Sequence, residues 1–270
     1  MKIIFLLILF LNMVSTVLAV GSDETWPQFN PPDFSQADIP GKYGFNSSGV
    51  SKNSKTSIPR IVQNEISDTA KRQFESLKIN PKPYSLAFSR DLANHPNEHY
   101  RVYKIQLPES FENKELYALG IGYWQFFYWY FIFYDPTKEI CTHKPECLGN
   151  WGFFGLEFDD LLGDGQKEVV CDTGGYGNPQ GFTVKRYISC GSDLSSKEIF
   201  AYLNQSRTGQ CGKDVTIVKK DHGVLTLSEH DFCLNPQGPN YDKTEVSTVD
   251  IKNFDPIESE KSFSTGLQFK

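Results

Sequence analysis

Between Leu116 and Tyr134 the chain reads LYALGIGYWQFFYWYFIFY, a run without a single charged side chain and crowded with aromatic rings. Water solvates such a stretch poorly, so the fold must bury it in a protein core or lay it across a bilayer. Its composition favours the core. Gly120, Gly122 and Gln125 interrupt the run, and Phe, Tyr and Trp fit a pleated sheet better than a membrane helix. The expectation is one long or two adjacent strands buried on both faces, with no membrane span. A part of this aromatic surface exposed as a binding platform is the alternative.

The segments around the run carry sheet signals. Asp135-Pro136-Thr137-Lys138 is a turn with proline at its second position, which makes 126–141 a hairpin. Tyr84, Leu86 and Phe88, and then Tyr103, Ile105 and Leu107, alternate with polar residues as half-buried strands do. A further strand is expected from Gly181 to Cys190. Thr216 to Leu227 reads as a hairpin around Asp221-His222-Gly223, and a weak strand falls near Val246 to Ile251. Two segments have helical spacing. Ile61, Ile66, Ala70, Phe74 and Leu77 give an amphipathic helix over 60–79, entered through Pro59. Asp193 or Ser195 could cap a second helix over 194–205 with Ile199, Phe200 and Leu203 turned inward. The expected fold class is therefore mainly β (α+β): an antiparallel meander sheet with two helices, stapled by disulfides.

The chain starts with Met1 and Lys2, an apolar run from Ile3 to Leu11, and the small-residue pattern Val17-Leu18-Ala19. This is the layout of a secretory signal peptide over 1–19, and it predicts a secreted or periplasmic protein. An extended polar arm over 20–57, a β-rich domain over 58–233 and a polar tail over 234–270 complete the expected organisation. The formal charge of -6 becomes -7 when Lys2 leaves with the signal, and a mildly acidic chain lacks the cations to neutralise a run of phosphates. A nucleic-acid partner is disfavoured on that ground.

In an exported chain, an even set of cysteines reads as disulfides. Cys141, Cys147, Cys171, Cys190, Cys211 and Cys233 all fall in one segment. Sequential pairing, 141 with 147, 171 with 190 and 211 with 233, is expected because each pair flanks a turn-rich loop. A zinc site is disfavoured by the lack of any Cys-x-x-Cys and by the isolation of His143. The other histidines, His95, His99, His222 and His230, read as surface or loop residues, and Pro96 breaks the helical spacing of His95 and His99. Asn46-Ser47-Ser48 and Asn204-Gln205-Ser206 match the glycosylation pattern.

Two chemistry-bearing signals overlap in LEFDDLLGDGQKEVVCDTGG, residues 156–175. Acidic residues at alternate positions of a glycine-broken loop can wrap an ion, and they can equally accept backbone N–H bonds while the glycines turn the chain. Val169-Val170-Cys171-Asp172-Thr173-Gly174 resembles the strand-delivered Asp-Thr-Gly of aspartic proteases. That chemistry requires two carboxyls sharing a proton, and only one such triplet exists here. The simpler reading ends a strand begun at Glu168 and breaks it into a GGYGNPQG turn.

FDDLLGDGQKEVV resembles the FG-GAP or VCBS-type segment, in which Asp-Leu-Asn-Gly-Asp-Gly-x-x-Glu leads into a strand. FIFYDPTKEI before it and DTGGYG after it extend the likeness over 126–190, similar to single-copy versions in exported bacterial proteins of unknown role. The resemblance implies calcium held by Asp160, Asp164, the backbone carbonyl of Gln166, and Glu168. Leu162 stands where the family places another ligand, so weak calcium or no cofactor is expected. No second copy of the segment occurs, which argues against a full propeller. The functional expectation is a non-catalytic exported protein binding a protein or glycan. The alternative is a secreted hydrolase using Asp172 or the Asp159, Asp160 and Asp164 cluster.

Overall fold

A computed structural model of the chain describes residues 25–40, 54–79, 81, 85–123, 126–145, 147–148, 153–177, 180–207, 211–234 and 240–251. The expected signal peptide, the Asn46 sequon and the end of the polar tail lie outside the described residues. Two seven-stranded sheets and a small group of helices make up the described fold, which is mainly β and closes into neither a barrel nor a propeller.

The uncharged aromatic run is a hairpin of β4 (Glu115–Tyr123) and β5 (Phe126–Asp135). Side chains alternate across a strand, so the hairpin supplies two different cores. Tyr117, Leu119, Ile121, Tyr130, Ile132 and Tyr134 face the helices, and Leu116, Ala118, Trp129, Phe131 and Phe133 face the second sheet. Asp135 closes the following turn by accepting from the Thr137 N–H at 2.9 Å and the Thr137 hydroxyl at 2.5 Å. β6 (Ile140–Cys141) and β7 (Cys147–Leu148) pair along β5. On the other side β3 (Tyr100–Ile105) pairs with β4. Within the polar segment 20–57, β1 (Gln36–Asp38) joins β3 in parallel and β2 (Lys55–Ser57) in antiparallel.

α1 (Arg60–Ile79) lies on this sheet through Val62, Ile66, Ala70, Phe74 and Leu77. Val62 takes the place expected for Ile61, which is 37% exposed. The strand expected at 84–88 is instead the start of α2 (Ser85–Asn94), followed by the single turn α3 (Pro96–His99). Three alternating apolar residues fit a helix as well as a strand when the next turn continues the helical spacing, as Ser85, Ser89 and Leu92 do.

The second sheet runs in strict sequence order: β8 (Phe153–Asp159), β9 (Glu168–Gly177), β10 (Gln180–Cys190), β11 (Ser196–Arg207), β12 (Cys211–Asp221), β13 (Val224–Cys233) and β14 (Tyr241–Asp250). The helix expected at 194–205 is strand β11. Asp193 does cap, but it caps a turn: its Oδ1 accepts from the Ser195 N–H at 3.0 Å and the Ser195 hydroxyl at 2.6 Å. Leu194, at φ 63°, completes that turn, and the edge of β10 draws Phe200 and Tyr202 into a ladder that suits them, with Ile199 at the register shift between them and Glu198. Thr142 ties the sheets together, its hydroxyl donating to Leu194 O at 2.6 Å and accepting from Phe133 N at 2.9 Å.

β12 pairs with β11 only over Gln205–Arg207 and then departs. The β12–β14 meander thereby leans over the far face of β8–β11, and Val170, Tyr187, Phe200, Val215, Leu225 and Leu227 form a third core between them.

Candidate functional site

The Asp-Gly loop joins β8 to β9. Asp160 Oδ1 accepts from the backbone N–H of Gly163 at 2.6 Å and of Asp164 at 3.2 Å, while its Oδ2 accepts from Gly165 N at 3.0 Å. Asp164 Oδ1 accepts from Gln166 N at 2.9 Å. The chain can curl this tightly because Gly163 and Gly165 sit at φ 70° and 87°. Glu168 is buried and accepts from Leu161 N at 2.7 Å. The Gln166 side chain donates to Cys190 O at 3.2 Å. Among the described residues no group of three His, Cys, Asp or Glu side chains is arranged to hold a metal ion.

Leu161 and Leu162 give this loop its purpose in packing. Leu161 is fully buried in the third core, and Leu162 packs beside it, with a Cβ on Gly223 lying 4.0 Å from Leu162 Cδ2. Burying a leucine contributes about 2 kcal/mol, so the apolar pair anchors the loop beneath the β12–β13 turn. Burial pushes the Glu168 carboxyl up to about 7, the Leu161 N–H opposes that rise, and the Asp164 and Asp160 charges add to it.

Asp172 is not at a strand end. β9 continues through it to Gly177, and the glycine cluster expected to turn pairs instead with β10. Along β9, Val169 and Cys171 face the other sheet, which leaves Val170 and Asp172 on the opposite face. Asp172 stands directly across from Lys185 on β10 and from Gly155 on β8, while Lys185 stands across from Tyr202 on β11. Gly155 keeps the carboxylate uncovered on one side, since a Cβ there would lie 3.7 Å from Asp172 Oδ2. Lys185 Nζ also reaches Glu157 Oε2 at 3.3 Å. Behind this charged row the rings of Tyr187, Phe200 and Tyr202 lie with centroids 6.0 to 6.4 Å apart.

The electrostatics are those of a half-covered polar patch. Burial raises the Asp172 carboxyl, the Lys185 ammonium pulls it back and Glu157 pushes it up again. Burial lowers Lys185, but Asp172, Tyr202 and Glu157 more than reverse this and leave it above its usual value. Tyr187 and Tyr202 are both raised by burial. The Lys185 ammonium contacts Glu157 and offsets the charge of Asp172, whereas the acid–base division of an aspartic protease rests on two carboxyls sharing a proton.

The remaining acids have structural partners. Both oxygens of Asp159 accept from Lys220 Nζ at 2.5 Å, clasping β8 to β12. Asn204 of the second sequon accepts from Val215 N at 2.7 Å through its side chain.

Among the described residues one of the three expected disulfides forms. Cys211 and Cys233 are direct cross-strand partners and are bonded. Cys141, Cys171 and Cys190 are free thiols. Register explains this. Cys171 is opposite Arg186, four residues from Cys190, and Cys141 and Cys147 meet β5 at Tyr134 and Tyr130. Four residues of strand span about 13 Å, and a disulfide needs Cα atoms within about 7 Å. The Cys147 side chain is outside the described residues.

Two polar clusters carried no motif in the sequence. Glu65 of α1 accepts from Arg72 at 2.8 Å, Lys144 N at 3.0 Å and Thr69 at 3.2 Å, and its other oxygen meets His143 Nδ1 at 3.0 Å. Burial pushes Glu65 up, but its hydrogen bonds from Arg72, His143 and Lys144 outweigh that and hold it below its ordinary value. His99, expected on the surface, is 1% exposed, with Nδ1 2.9 Å from Gly122 O and Nε2 3.1 Å from Asp91 Oδ2. The spacing of Glu65, Thr69 and Arg72 on one helix face was the only local hint of the first cluster. No family model matches the chain, and neither a curated protein nor a solved structure matches it.

Proposed function

We propose that this is an exported, non-catalytic binding protein whose ligand is a glycan, taken up on the face formed by Glu157, Asp172, Lys185 and Tyr202. The apolar start of the chain and the Cys211–Cys233 bond support export into an oxidising compartment. The observation that carries the binding reading is the opposition of Asp172 and Lys185, both partly exposed, in one row with Tyr202. Convergent acceptors and donors beside an aromatic ring suit an array of hydroxyls attached to an apolar ring. Asp159, Asp160 and Asp164 are already held by an ammonium or by backbone amides, and the Lys185 ammonium offsets the charge of Asp172, which favours binding over hydrolysis. Screening the oxidised protein against a panel of immobilised polysaccharides tests this. Retention on at least one, lost in Tyr202→Ala and Asp172→Asn, supports the reading. No retention on any, or retention that both variants keep, contradicts it, and release of shortened chains would restore the hydrolase alternative.

A further inference from the structure

Among the described residues β14 is the last strand of its sheet, and every residue from Tyr241 to Thr248 is exposed. Ile251 N donates to Gly223 O at 2.9 Å, which fixes the parity of the ladder: the odd-numbered residues of β14 turn their backbone groups to β13. Asp242, Thr244, Val246 and Thr248 therefore direct their N–H and C=O groups away from the sheet. A long edge of this kind is a template for a further strand, and natural sheets usually blunt it with proline, a bulge or a cover. The ladder between β13 and β14 is regular from Val224↔Asp250 to Cys233↔Tyr241, with no proline in β14.

We propose that this edge pairs with the same edge of a second copy of the chain, antiparallel and centred on Thr244, joining two seven-stranded sheets into one. Outward-pointing residues must meet outward-pointing residues for the hydrogen bonds to form, so only registers that place even against even are open. Charge chooses among these. Centring on Lys243 sets two lysines opposite each other, and centring on Glu245 sets two glutamates opposite. Centring on Val246 sets Asp242 against Asp250. Centring on Ser247 or Thr248 avoids like pairs but sets no opposite charges together within β14, whereas centring on Thr244 sets Lys243 against Glu245 of the second copy, twice by symmetry, with no like pair. In the single chain these two side chains pair with one another along the strand and remain 53% and 62% exposed, free to exchange partners.

Sedimentation of the purified full chain over a hundredfold concentration range is the test, using wild type, Lys243→Glu, Glu245→Lys, the double reversal and Thr244→Pro. Wild type is expected to move from monomer to dimer mass. Each single reversal creates two like-charge oppositions and should weaken the dimer about tenfold, and the double reversal should restore it. Thr244→Pro removes only an outward N–H, so it should abolish the dimer with the melting temperature little changed. The charge variants keep the test decisive if the proline variant fails to fold. Monomeric wild type, single reversals without effect, a double reversal that does not recover, or a dimer that survives in a folded Thr244→Pro variant would each overturn the proposal.

Discussion

Gly120 and Trp129 face one another across the β4–β5 ladder, and the indole lies over the glycine so closely that a Cβ at 120 would fall 2.8 Å from its Cη2 and Cζ3 atoms. The ring fills the space that a side chain would take and carries the second core towards Tyr103, whose ring centroid is 6.1 Å away. Gly120→Ala should destabilise the protein by about 1 to 3 kcal/mol, because the flat ring must leave its place in a packed core. Chemical denaturation measures this. An unchanged midpoint and slope would show that the indole shifts without cost.

The Asp-Gly loop predicts a pH effect of definite sign. Because the folded Glu168 carboxyl titrates near 7, above its ordinary 4.5, the folded state holds that proton more tightly than the unfolded chain. Its contribution is fully present below about 4.5 and is lost as pH rises to about 7. Glu168→Gln keeps an acceptor for the Leu161 N–H and removes the buried charge. Unfolding free energy at pH 8 should therefore exceed that of wild type, by at most about 3 kcal/mol, with a higher melting temperature, and the two proteins should converge near pH 4.5. A variant less stable at pH 8 than wild type would refute this.

Glu65 works with the opposite sign. Its folded carboxyl is depressed, so its stabilisation is present above pH 4.5 and is lost as the pH falls. Glu65→Gln should cost stability at neutral pH and little in acid, and it should release the loop bearing His143. Hydrogen exchange at the Lys144 amide, which donates to Glu65 at 3.0 Å, reports that release directly.

Leu161→Ala should cost about 2 to 5 kcal/mol, since a fully buried side chain leaves a cavity in the third core. Asp160→Asn, by contrast, keeps one oxygen acceptor for the Gly163 and Asp164 amides and loses the one for Gly165 N, so it should cost less, about 1 kcal/mol. If the aspartate change proves the more damaging by thermal melting, the loop is held by its charge and not by its leucines.

Much of the sheet content could be read from alternation alone. The aromatic run had to be strands buried on both faces, because its side chains outnumber any single face and its glycines interrupt a helix. The Asp221-His222-Gly223 hairpin was equally legible, with His222 at φ 50° and Gly223 at φ 87° in the turn. Segment 194–205 misled because Asp193 caps a turn and a helix alike, and only the edge of the preceding strand β10, which the chain folds back upon, decides between them. The disulfides misled for a related reason. Loop length suggests which cysteines are neighbours in sequence, but strand register separates Cys171 from Cys190 while it superposes Cys211 on Cys233. The row of Asp172, Lys185 and Tyr202 draws on three strands and has no spacing signature, so only the register reveals it.

The proposed ligand of this row is a glycan. Calorimetric titration of the best-retained soluble oligosaccharide into wild type, Tyr202→Ala and Asp172→Asn tests it most directly, with matched melting curves to establish that each variant is folded. Saturable binding to wild type is expected, weakening at least about tenfold in each variant, a loss of roughly 1.4 kcal/mol. Equal affinity in all three proteins would contradict it.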